Sequence, residues 1–437
     1  MNRSHALAGV VCFAAFFSPA ARAQAPAGSE PAGAPLDWKA LEAPVLTRHV
    51  QLTSRDRFIK AGEAYFSHDK NWVIFQAIGV PKAGEEPDPF YAMYIGRLVR
   101  DAGGHVTGLS DTTCVSPAHS ANTCGWFDPV NPTKVMFGST VVRPADEDPS
   151  GFQVGTHRYR WQFPNEMNVV EVSALKLMNG DGDSLEKPRW VPDTSASLDK
   201  RLRTVIDRPN YDAECSFSKD GRFILYGHVE DRPKDLPKDA PYRPDANIYI
   251  RDTKTGKDIP IVVAPGYDGG PFFSPDGKRI CYRSDRQGND LLQLYIADLA
   301  FDGEGVPTGI AREYQLTDNG AVNWAPYWHP SGKYLVYASS EMGHQNYEVY
   351  GVEIDEGKLA AAAAKTAKGQ TVNATDAKRA RVTFANGADV LPAFSDDGSL
   401  MMWTCQRGPL VEGETKPSSQ VWVAEVVGAP KFDGAVK

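Results

Sequence analysis

An apolar or aromatic pair, a tight turn and an extended apolar run recur six times along the 437-residue chain. The complete copy runs from Gly270 to Leu299, GPFFSPDGKRICYRSDRQGNDLLQLYIADL. Ser274-Pro275-Asp276-Gly277 carries the residues of a tight turn between two extended segments, and a second loop, Asp285 to Asp290, leads into a third. Aligned on Phe273, the pattern returns around Phe66, Phe217, Trp328 and Phe394, and in a longer-turned form around Phe127. Each copy is followed by a strand with an apolar or aromatic centre, such as Tyr94-Ile95 or Val421-Trp422-Val423. Repetition of a strand unit at this spacing predicts radial closure, because closing the ring leaves only short, protected strand edges.

About eleven residues before the anchor aromatic stands a fourth-strand segment, as in Gln315-Leu316-Thr317 before Trp328. Val50 to Thr53 precedes the first unit in the same way, and no such strand follows Val426. The expected fold is therefore all-β: a single six-bladed β-propeller of four-stranded antiparallel blades, closed by the N-terminal strand. The expected boundaries are a signal peptide over 1–23, a flexible tether over 24–48, the propeller over 49–428 and a C-terminal tail over 429–437.

FSPDGKRICYRSDRQG followed by LQLYIADL resembles the WD40-like repeat of the TolB-like propeller family. That resemblance implies that the Ser-Pro-Asp-Gly turn joins the two innermost strands of a blade. It also implies a periplasmic, protein-binding role in the cell envelope. Where TolB carries an α/β domain ahead of its propeller, this chain has the short tether.

The first residues fit export: Arg3, an apolar run from Ala6 to Phe17, then Ala21-Arg22-Ala23. The run is too short to span a bilayer, and no later run is long enough. The formal net charge of -8 disfavours a nucleic-acid partner. A periplasmic or secreted monomer is expected, binding an envelope protein, a peptide or a glycan. In an oxidising compartment, Cys114 and Cys124 would form a local disulfide, while Cys215, Cys281 and Cys405 read as buried apolar residues.

Catalytic signatures are missing: there is no HExxH, no GxSxG elbow, no Walker loop, and no GxGxxG before a helix. The expected function is accordingly non-catalytic binding. The alternative is a propeller lyase or hydrolase acting on an acidic or sugar substrate, with metal assistance. Two sets of residues are candidates for contact with a partner. In the first, Asn122, Asp212, Asp268, Asn323 and Asp389 (with Ala61 in the first blade) stand five positions before each anchor aromatic. They either fix turns or ring the channel mouth opposite the Ser-Pro-Asp-Gly turns. In the ring reading, Asp212, Asp268 and Asp389 would hold a divalent cation, the one cofactor considered, or the basic end of a partner. The second set is the loop run Arg158, Tyr159, Arg160 and Trp161, suited to a sugar or an acidic ligand. The tract Asn179 to Ser184 reads as an ordinary turn, and Lys358 to Lys378 as a short helix or a disordered stretch.

Overall fold

Six antiparallel sheets follow one another around a ring in the protein's structure, a computed structural model. It describes residues 36–145, 151–153, 158–160, 163–178, 189–237, 240 and 242–432, with 151–153 and 158–160 as backbone only. The innermost strands are Phe58–Phe66, Asn122–Phe127, Asp212–Phe217, Asp268–Phe273, Asn323–Trp328 and Asp389–Phe394, in blades 1 to 6. Each pairs with the next strand in sequence, and each sheet has at least four strands.

Blade 6 takes its outer strand from the other end of the chain. Leu46–Gln51 pairs antiparallel with Gln420–Val426, with Val50 opposite Val423 and Gln51 opposite Trp422. Closure by the N-terminal strand is thus present, and it begins earlier than the expected boundary at residue 49. Residues 37–45, assigned to the tether, also belong to the packed body. Asp37 caps the helix Trp38–Glu42 by accepting from Ala40 N. Glu42 is fully buried and accepts from His49 Nε2 at 2.8 Å, Arg407 Nη1 at 2.9 Å and Phe384 N at 2.8 Å. The Arg407 guanidinium lies 4.3 Å from the Trp38 ring centre. The local sequence does not announce this buried carboxylate, because two of its three donors, Phe384 and Arg407, stand 342 and 365 residues further along the chain.

The turn chemistry follows the expectation. Ser218, Ser274 and Ser395 each donate to the Asp two residues on, at 2.6 to 2.8 Å. The same hydroxyls accept from Phe223 N, Arg279 N and Leu400 N, so one side chain satisfies both ends of the turn. Gly277, at φ 70, supplies the left-handed residue that the turn requires.

Two insertions add structure outside the blades. Glu356–Ala363 is a helix, and Val372–Asn373 pairs in parallel with the outer strand of blade 4. Arg158–Arg160 pairs with Gly151–Gln153. Residues 179–188 lie outside the described residues.

Candidate binding site at the propeller axis

Every inner strand is bulged at the same place. The register with the second strand shifts two to three residues short of the anchor, between Ala213 and Ser216 in blade 3 and between Val390 and Ala393 in blade 6. At the bulge stand Glu63, Cys124, Glu214, Gly270, Ala325 and Leu391, all left-handed, with φ between 42° and 58°. A bulge adds a residue and turns a side chain off the regular alternation. Here it turns all six positions toward the axis, where they line one small cavity of about 20 Å³.

The expected channel-mouth column lies two residues earlier and inside the blades. Asn122, Asp212, Asp268, Asn323 and Asp389 are buried. Asp212 accepts from His228 Nδ1 at 2.8 Å and Arg208 N at 2.7 Å. Asp268 accepts from Arg286 Nη2 at 3.0 Å, and Asp389 from Arg407 Nη2 and Trp403 Nε1. Asn122 donates to Tyr91 O of blade 1, and Asn323 to Gln293 of blade 4, stitching neighbouring blades. Each carboxylate is therefore already engaged, Asp212 by His228 and the Arg208 backbone, Asp268 by Arg286 and Asp389 by Arg407. Among the described residues, no group of three or more His, Cys, Asp or Glu side chains is placed to hold a metal ion.

The disulfide expectation is also corrected, because Cys114 and Cys124 are free. Cys114 ends the outer strand of blade 1, and Cys124 lies on the inner strand of blade 2. Four strands about 4.8 Å apart separate such edges by roughly 14 Å, against the roughly 7 Å limit for a bridge. The side chains of Arg158, Tyr159 and Arg160, and the whole of Trp161, lie outside the described residues.

Three layers fill the axis. The middle one is the bulge ring, where Glu63 accepts from Cys124 Sγ at 2.9 Å and Thr123 Oγ1 at 3.0 Å. Glu214 accepts from Tyr267 OH at 2.6 Å, from Gly270 N and from Arg283 Nη2 at 3.3 Å. A Cβ on Gly270 would run into the Arg283 guanidinium, so glycine is needed here for access as well as for φ. Arg283 pairs with Glu214, and its charge also acts on Glu63. Burial pushes the Glu63 carboxyl up, against the hydrogen bonds from Cys124 and Thr123. Burial, followed by Glu63 itself, holds the Cys124 thiol well above its ordinary range, so it is no nucleophile.

Above that ring, away from the Ser-Pro-Asp-Gly turns, Phe163 packs on Tyr211 and Tyr267 at centroid distances of 5.1 and 5.8 Å. Below it, Tyr65, Trp126, Phe272 and Tyr327 meet across the axis at 4.9 to 6.4 Å. These four rings stopper the channel. The outer faces of Trp126, Phe272 and Tyr327 form the floor of a cup of about 170 Å³ on the turn face. His68 and Asp396 stand on its wall, with Nδ1 to Oδ2 at 2.6 Å. The aromatic set was legible only in part: the anchor aromatics were identified, but the stopper is carried by the residue before four of the six anchors, Ser216 and Ala393 standing before the other two.

Six sheets around a sealed axis define a six-bladed β-propeller. No family model matches the chain. Over 123 residues it is 28% identical to the uncharacterized protein Atu1656 of Agrobacterium fabrum, a stretch covering 28% of this chain and 34% of that protein. Over 95 residues it is 37% identical to the uncharacterized peptidase YuxL of Bacillus subtilis, covering 22% of this chain and 13% of that protein. The matched stretches thus span about a third or less of these curated relatives. Among solved structures, TolB from Acinetobacter baumannii matches 84% of this chain and 66% of its own at 14% identity and TM-score 0.43. An oligogalacturonate lyase in complex with manganese matches 86% of this chain and 92% of its own at 13% identity and TM-score 0.43. The architecture rests on the strand pairing of this chain and not on these likenesses.

Proposed function

We propose that the protein is an exported, non-catalytic propeller that binds a protein, peptide or glycan partner in the cell envelope. The observation that carries this reading is the blind aromatic cup on the turn face. Partly buried Trp126, Phe272 and Tyr327 form a concave apolar surface at the centre of a ring of polar turns. Concave aromatic patches inside a polar rim are where binding energy concentrates at interfaces. The upper mouth offers less, because the carboxylates expected there are buried and hydrogen-bonded within the blades. Export is supported by the Met1 to Ala23 sequence pattern, and no helix among the described residues is long and apolar enough to cross a membrane.

The test is capture from envelope extract on the immobilised protein and on a Pro275→Arg variant, which places a bulky charge on the exposed rim. The reading expects a discrete partner held by the parent protein and lost by the variant. Turnover of an oligosaccharide panel that chelator abolishes would overturn it in favour of a metal-assisted lyase or hydrolase.

A further inference from the structure

The cup is not closed on all sides. Between blades 3 and 4 it runs into a radial groove of about 970 Å³, and Ser218, Lys219, Phe273 and Pro275 line both. The groove continues outward past Phe301, an exposed aromatic on the outer flank of blade 4. A ligand can therefore lie along the groove and reach the axis. It cannot pass through, because the four-ring stopper blocks the channel. Such a shape admits a chain that ends in the cup.

Size and charge identify which end. A cup of about 170 Å³ is smaller than the roughly 300 Å³ at which small-molecule pockets begin, so it takes one side chain rather than a whole compact ligand. Its walls call for a large apolar or aromatic side chain. Of the titratable side chains lining the cup, His68 and Asp396 are hydrogen-bonded to each other. Lys219, exposed on its turn, has no ion-pair partner among the described residues. An unpaired ammonium beside an apolar cup is complementary to a carboxylate attached to an apolar group.

We propose that the turn face captures the free C-terminus of an extended polypeptide. The last side chain fills the axial cup, its carboxylate meets Lys219, and the preceding residues lie in the groove between blades 3 and 4. This rests on the binding function proposed above and names the partner's chemistry.

The test uses fluorescent ten-residue peptides ending in Phe as the free acid, the same peptides amidated, and free acids ending in Ser, titrated into the full-length protein. The free acid ending in Phe should bind, with amidation or a terminal Ser weakening it at least tenfold. Lys219→Glu, an exposed turn substitution, should abolish the preference for acid over amide while leaving the Tm unchanged. Phe301→Ser should weaken ten-residue peptides but not three-residue ones. Equal binding of acid and amide, or binding of oligosaccharides with no binding of any peptide, overturns the proposal. If no peptide binds while the parent protein and Lys219→Glu capture the same envelope partner, end capture falls and the broader binding function stands.

Discussion

Two single residues show how burial sets chemistry here. Burial pushes the Asp268 carboxyl up to about 6, against the pull of Arg286, which it shares with Glu313. Its proton is held more tightly in the folded chain than in the unfolded one, where the value is 3.8. The stability from this group is thus complete below about pH 4 and is lost as pH rises through about 6, on the order of 3 kcal/mol. Asp268→Asn keeps the neutral shape, so relative to the parent it should gain stability between pH 4.5 and 7.5. Chemical denaturation at both values measures this, and a pH-independent difference would count against it. Cys114, exposed at an outer edge, should react with a thiol reagent in the native protein while Cys215, Cys281 and Cys405 stay silent until denaturation. A linked Cys114–Cys124 peptide in non-reducing mass spectrometry would contradict the structure.

At the level of the strand, the bulge is the element that sequence reading missed. Turns, anchor aromatics and strand order were legible because Ser, Asp, Gly and Phe each have a local physical reason to stand where they do. The axial residues were not, because no local signal places a bulge, and it is the bulged Glu214, two residues beyond Asp212, whose side chain turns toward the axis. No residue type marks the bulge: Glu, Cys, Gly, Ala and Leu all occupy it, five of the six at a non-glycine cost of roughly 1 to 2 kcal/mol. The tertiary structure imposes the conformation. Ala325→Gly should therefore be neutral or stabilising by up to about 1 kcal/mol, whereas Ala338→Gly in the regular strand beside it should destabilise by about 0.5 to 1 kcal/mol. Thermal denaturation of the pair separates the two effects, and equal losses would argue against backbone strain at the axis.

For the whole molecule, the ring is held at one seam. Beside the closing strand, His68 and Lys70 of blade 1 pair with Asp396 and Asp397 of blade 6 on the turn face. Removing residues through Thr53 takes away a strand, the buried Leu46 and Thr53 Oγ1, which accepts from Val421 N. The truncated chain should aggregate or melt well below the parent, as followed by circular dichroism and light scattering. Unchanged melting would mean that the seam is not what holds the ring.

That seam also sets a clock. Thr53 and Val421 are 368 residues apart in sequence. At a synthesis rate of about 5 to 20 residues per second, the first strand waits roughly 20 to 70 s for its partner. Through that interval its hydrogen-bonding edge is a liability for any cell making the protein, and a holding factor that covers residues 46–51 would raise the yield of closed rings.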